Sequence, residues 1–120
     1  MMPRTSGGSV YIANETERKN MDMIHALFEK RDITGMYIPP QMFTVMRKLY
    51  GPLPLEYVAM VGEKFINKDN ISDPGVVEFF GASETGTAIL IYPVGEGTPL
   101  TLGKPAENVH AYLLDESGKL

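Results

Sequence analysis

The sequence predicts an α/β fold: a partly parallel βαβ sheet with helices packed on it, whose C-terminal strands run antiparallel. Three observations predict it. Between residues 7 and 86, short apolar runs alternate with stretches whose apolar residues recur at helical spacing. Proline and glycine punctuate the changes of period, at Pro39-Pro40, Gly51-Pro52 and Gly62. From Thr87 on, apolar runs follow one another with no helical stretch between them, as antiparallel strands do. The chain is therefore read as one domain, an α/β core over 7–86 and a β-rich tail over 87–120.

Ser9-Val10-Tyr11-Ile12-Ala13 opens the series as a strand, after the flexible pair Gly7-Gly8. Asn20 to Arg31 places Met21, Ile24, Leu27 and Phe28 on one helical face, with Asp22, Glu29 and Lys30 opposite. Ile33 to Ile38 is the next strand, closed by Pro39-Pro40. Proline at a helix's first turn costs little, because that amide has no helical partner. A second helix follows, with Met42, Phe43, Val45, Met46, Leu49 and Tyr50 as its apolar stripe, stopped by Gly51-Pro52.

Leu55 to Val61 is the third strand, ending in Gly62-Glu63-Lys64, and Asn67 to Gly75 is polar and turn-rich. Val76 to Phe80 is the fourth strand, and it breaks into the turn Gly81-Ala82-Ser83-Glu84-Thr85-Gly86. Thr87 to Tyr92 is a further strand, followed by the Gly/Pro-rich connection VGEGTPLTLGKP. Val109 to Leu114 is the last strand expected, before the turn Asp115-Glu116-Ser117-Gly118.

Composition narrows the function classes. The chain has 120 residues, 43% hydrophobic and 22% charged, an ordinary balance for one core. Fifteen acidic against eleven basic residues leave a net charge of -4 and no basic block, which disfavours nucleic acid and anionic membrane surfaces as partners. With no cysteine there is no disulfide, thiolate ligand or cysteine nucleophile. His25 and His110 are isolated and read as structural histidines. No apolar run approaches the roughly 18–20 residues of a membrane span, and MMPRTSGGS lacks a signal-peptide core, so a cytoplasmic location is expected.

In α/β sheets, ligands gather at the carboxyl ends of parallel strands. Three segments fall there: Tyr37-Ile38-Pro39, Val61-Gly62-Glu63 and Phe80 to Glu84. The last joins a hydroxyl and a carboxylate after a small-residue turn, a pairing suited to a phosphate and its metal. On residue type alone, Phe80 also reads as core and Ser83-Glu84 as a helix N-cap or exposed turn. Met21, Met23, Met42 and Met46 read as gap-filling apolar residues, and Glu15 to Lys19 as solvated surface.

The series SGGSVYIA, ITGMYIPPQMF, LEYVAMVGEKF, VEFFGASETG and LGKPAENVHAYLLDESG, in that order, resembles the middle of an adenylate-forming enzyme, over roughly Gly7 to Gly118. The likeness is greatest to the amino-acid adenylation domains of nonribosomal peptide synthetases, with acyl-CoA synthetases the close alternative. The resemblance implies a partial subdomain of the adenylate-forming fold. It also implies ATP and Mg²⁺ as cofactors, an amino acid or other small carboxylic acid as substrate, and a carrier-domain thiol as acceptor.

By that resemblance Phe80 stacks on adenine, a contact worth about 1–3 kcal/mol on nucleic-acid bases. Gly81 lets the backbone pass close to the nucleotide, and Ala82 stands where the family has proline. Ser83 offers a hydroxyl to the α-phosphate, and Glu84 an oxygen to Mg²⁺. Gly62, Glu63 and Lys64 cover the other face of adenine. Glu78 stands where the family often has an asparagine that reads the adenine amino group, and its carboxylate can accept a hydrogen bond from that amino group as the asparagine carbonyl does. Tyr37, Ala59, Val61, Phe79, Thr87 and Ala88 fall at positions lining the acyl pocket, and their apolar to aromatic character implies an uncharged acyl side chain. The family's phosphate-loop lysine, ribose-binding aspartate and C-terminal lysine have no counterpart in the sequence. Each such electrostatic group is worth about 10²–10³ in rate. The chain is thus expected to be a piece of an adenylation enzyme, inactive alone. A non-catalytic scaffold or interaction module stays open beside it, as does self-association through exposed sheet edges.

Overall fold

In the computed structural model, which describes residues 7–63, 65, 71, 73, 75–86, 88–95 and 101–120, the chain falls into two units, Met1–Ile33 and Thr34–Leu120.

In the first unit a local polar network starts the helical part. The Asn14 Oδ1 accepts the amides of Thr16 and Glu17 at 3.0 Å each, and Glu17 Oε2 accepts the Asn14 amide at 2.8 Å. Such side-chain turns favour a tight start over an extended chain, and a single-turn 3-10 helix follows at Glu17–Lys19. The helix α1, Met21–Lys30, begins where Asn20 Oδ1 accepts the Met23 amide at 3.1 Å, an N-cap satisfying one of the orphan donors of a helix start. Ile24, Leu27 and Phe28 are its buried residues, at the spacing the sequence predicts. The Ile33 amide closes its C-terminus on the Phe28 carbonyl at 3.0 Å.

The strand expected at Ser9–Ala13 does not form. These residues have no strand partner among the described residues, and Ile12 is 84% exposed. An extended segment without a neighbour leaves its backbone groups to water. Tyr11 binds locally instead, donating its hydroxyl to Glu17 Oε1 at 2.8 Å, with the Arg31 guanidinium 5.3 Å from its ring centroid.

The second unit holds one mixed sheet, in the order β1-β2-β3-β4-β5. Its strands are β1 Gly35–Ile38, β2 Tyr57–Val61, β3 Val76–Gly81, β4 Ala88–Pro93 and β5 Lys104–Pro105. The first three run parallel, and β4 and β5 each run antiparallel to the preceding strand. The α/β class and the change from parallel to antiparallel pairing agree with the sequence reading. Helix α2, Pro40–Tyr50, makes the β1-to-β2 crossover, with Pro40 in its first turn and Gly51 at its C-cap.

Strand β2 starts two residues later than expected. The amides of Glu56 and Tyr57 both reach the Thr34 carbonyl, at 2.8 and 3.2 Å, so regular pairing begins only at Tyr57. Phe43 and Met46 of α2, with Ile38, Val58 and Met60 of the sheet, are the largest fully buried side chains among the described residues and lie at the centre of this unit's core. The Phe43 ring meets Phe65 edge-on at 6.0 Å.

Two further differences lie in the tail. β5 arises within the connection expected to be irregular, pairing Lys104 with Ile91 and Pro105 with Leu90. Val109 to Leu114, expected as a strand, is irregular and pairs with none of the described strands. Leu113 there is 93% exposed. Its chain turns locally instead: the Val109 amide bonds the Ala106 carbonyl at 3.0 Å. Asp115 Oδ1 then gathers the Ser117 hydroxyl and the amides of Ser117 and Lys119, which together hold its carboxyl below the usual range, the hydroxyl most of all.

Candidate functional site

Parallel pairing puts the carboxyl ends of β1, β2 and β3 on one edge of the sheet. Ile38 stands opposite Met60, and Val61 opposite Phe79. The segments Tyr37-Ile38-Pro39, Val61-Gly62-Glu63 and Phe80 to Glu84 therefore leave the sheet in the same direction.

Strand alternation sorts the side chains into two faces. Tyr37 is opposite Ala59, and Val61 opposite Phe79, so these four candidate residues share one face. Tyr37 lies 6.5 Å from Phe79 and 6.4 Å from Tyr57, centroid to centroid. Tyr37 is 53% exposed, whereas Ala59 is fully buried and shapes this face from beneath. Tyr57, two residues before Ala59, completes an aromatic cluster absent from the sequence reading; its alternation with Ala59 was the signal that could have found it. Burial, and then the Tyr37 phenol beside it, push the Tyr57 hydroxyl up to about 12.

Glu78 and Phe80 fall on the opposite face. Phe80 is 46% exposed. Glu78 is buried, and its Oε1 accepts the Phe65 amide at 2.8 Å. Beyond Gly81, the residues Ser83–Thr85 form a single 3-10 turn. The Thr85 hydroxyl fastens it, donating to the Ala82 carbonyl at 2.7 Å and accepting the Ala82 amide at 3.1 Å. Thr85 thus holds the backbone, while Ser83 and Glu84 stand exposed, as do Gly81, Ala82, Gly62 and Glu63. The pairing of β3 with β4 shifts register after Phe80, bringing Ala88 opposite Gly81. Lys64 and Thr87 lie outside the described residues.

Among the described residues, no three His, Asp or Glu side chains cluster to hold a metal. A cation at Glu84 would need most of its ligands from elsewhere, which fits Mg²⁺ bound through a carboxylate, phosphate oxygens and water. The exposed hydroxyl of Ser83 and the small residues Gly81 and Ala82 fit a phosphate group nearby. No helix among the described residues is long and apolar enough to cross a membrane. No protein-family model matches the chain, and no curated protein sequence matches it.

Proposed function

We propose that the chain carries part of the nucleotide and acyl sites of an ATP-dependent adenylation domain, of the kind that activates amino acids for nonribosomal peptide synthesis. Its substrate is an amino acid or other small carboxylic acid, its acceptor a carrier-domain thiol, and its setting the cytoplasm. One observation carries the reading: the parallel register gathers the Gly62-Glu63 turn, the Gly81–Gly86 turn and the aromatic face of Tyr37 and Phe79 at one sheet edge.

Each part has a chemical use. Phe80 offers an exposed ring face to adenine, and Ser83 a hydroxyl to a phosphate oxygen. Glu84 would hold Mg²⁺, which would supply neutralisation of the phosphate charge. The Tyr37 and Phe79 rings suit an uncharged acyl side chain, since neither brings a charge to pair with one.

A titration of isotopically labelled protein with ATP, with and without Mg²⁺, tests this. Saturable amide shifts at Gly62, Glu63 and Phe80 to Thr85 are expected, and Glu84→Ala removes the Mg²⁺-dependent part. No shift at millimolar nucleotide rejects the reading.

A further inference from the structure

Glu78 is in the middle of β3, paired with Met60 on one side and Tyr92 on the other. Only 6% of it is exposed. A carboxylate taken so far out of water must recover hydrogen bonds inside the protein. One of its oxygens accepts the Phe65 amide at 2.8 Å, and the Phe65 ring is itself buried, edge-on to Phe43. Phe65 follows the Gly62-Glu63 turn. The backbone of that turn is therefore fixed to β3 at two points: Val61, paired with Phe79, and Phe65, bonded to Glu78. The residue after this pair of anchors is Phe80, whose ring is the exposed one.

We infer that Glu78 is a positioning residue: it holds the Gly62-Glu63 turn at a set distance from Phe80, the two walls between which adenine would lie, and does not touch the nucleotide itself. The adenine part rests on the function proposed above; the anchoring of the turn does not. What the anchoring requires is an acceptor oxygen at Phe65. That requirement separates it from a group that recognises the base, whose replacement would alter which nucleotide binds.

Two variants of similar size test this in the full chain. Glu78→Met fills the buried volume without an acceptor, and Glu78→Gln keeps the acceptor without the charge. Hydrogen exchange at the Phe65 amide and the resonance positions of Gly62 and Glu63 are read first without ligand, and Mg-ATP affinity second. In the Met variant, exchange at Phe65 rises about tenfold or more, the Gly62 and Glu63 resonances move, and Mg-ATP binds correspondingly more weakly. The Gln variant restores all three. Unchanged Phe65 exchange in the Met variant overturns the inference, as does a Gln variant that behaves like Met. Intact Mg-ATP affinity after Phe65 has lost its protection overturns it too. Should the wild-type chain bind no nucleotide while Phe65 responds as stated, the anchoring role stands and the proposed function fails.

Discussion

Asp73 joins elements of the sheet-bearing unit that lie far apart in sequence, so its replacement tests how that unit is held. Its side chain is only 1% exposed, and its two oxygens join three segments. Oδ1 accepts the Leu53 amide at 2.9 Å, in the link after α2, and Oδ2 lies 3.0 Å from Nε of Arg47 on α2 itself. Asp73 stands just before β3, so this clamp ties the crossover helix to the entrance of that strand. Asp73→Ala leaves the buried Leu53 amide without its acceptor, at a cost of about 1–3 kcal/mol. It also removes the Arg47 ion pair, for which a fully buried cation would add about 3–5 kcal/mol. Arg47 keeps 17% of its side chain exposed and has other contacts, so a discounted term of about 1–2 kcal/mol is appropriate. The expected loss is thus about 2–5 kcal/mol. Asp73→Asn, which can still accept from Leu53, should lose only about 1–2 kcal/mol. Urea unfolding followed by far-ultraviolet circular dichroism measures both, and a cycle with Arg47→Met isolates the pair. A loss below about 1 kcal/mol for Asp73→Ala, at an unchanged denaturant slope, would show that water replaces the clamp and refute the reasoning.

Gly75 should tolerate no side chain: its φ is +70°, and a Cβ there would overlap the Glu56 carbonyl oxygen. Gly75→Ala is expected to lose at least about 2 kcal/mol in the same assay, against about 1 kcal/mol for Gly86→Ala, where φ is +67° but the space is open. Tyr57 should ionise late under alkali, near pH 12, and Tyr57→Phe should delete that late step from the phenolate absorbance titration. The sign follows from linkage. The Tyr57 contribution to stability is whole below pH 10, where folded and unfolded chains both keep the proton, and falls as pH rises toward 12, where the unfolded chain ionises first.

Period was legible wherever burial imposed it. Ile24, Leu27 and Phe28 in α1, and Phe43 and Met46 in α2, are buried at the helical spacing that the sequence displays. The runs that became β1 to β4 were found for the same reason. Ser9–Ala13 and Val109–Leu114 show why the rule fails elsewhere. Alternating apolar residues make a segment fit to be half-buried, but a strand also needs a neighbour's backbone, and composition carries no trace of whether one is at hand. β5 went unseen because two residues, one of them proline, have no period. Asp73 was hidden in a polar stretch that read as mere turn, since an acid's ion-pair partner, here Arg47, lies far off in sequence.

The candidate site was legible as a set of strand ends, but its division between faces was not, and that division carries the most chemical meaning. Glu78, Phe79 and Phe80 are consecutive, yet they serve three surroundings. Phe79 joins Tyr37 on the aromatic face, Phe80 presents its ring on the other, and Glu78 turns inward to Phe65. A one-residue slip of β3 against β2 would exchange the faces, burying Phe79 and exposing the carboxylate. The register is therefore as much a part of the site as any side chain. It is held from both flanks, by the Val61–Phe79 and Met60–Glu78 pairs on the β2 side and by Tyr92 and Ile91 on the β4 side. On the proposed function, the strand that places the acyl face also places the nucleotide face. On the inference drawn above, Glu78 then anchors the turn that closes the nucleotide side, through the oxygen it offers the Phe65 amide.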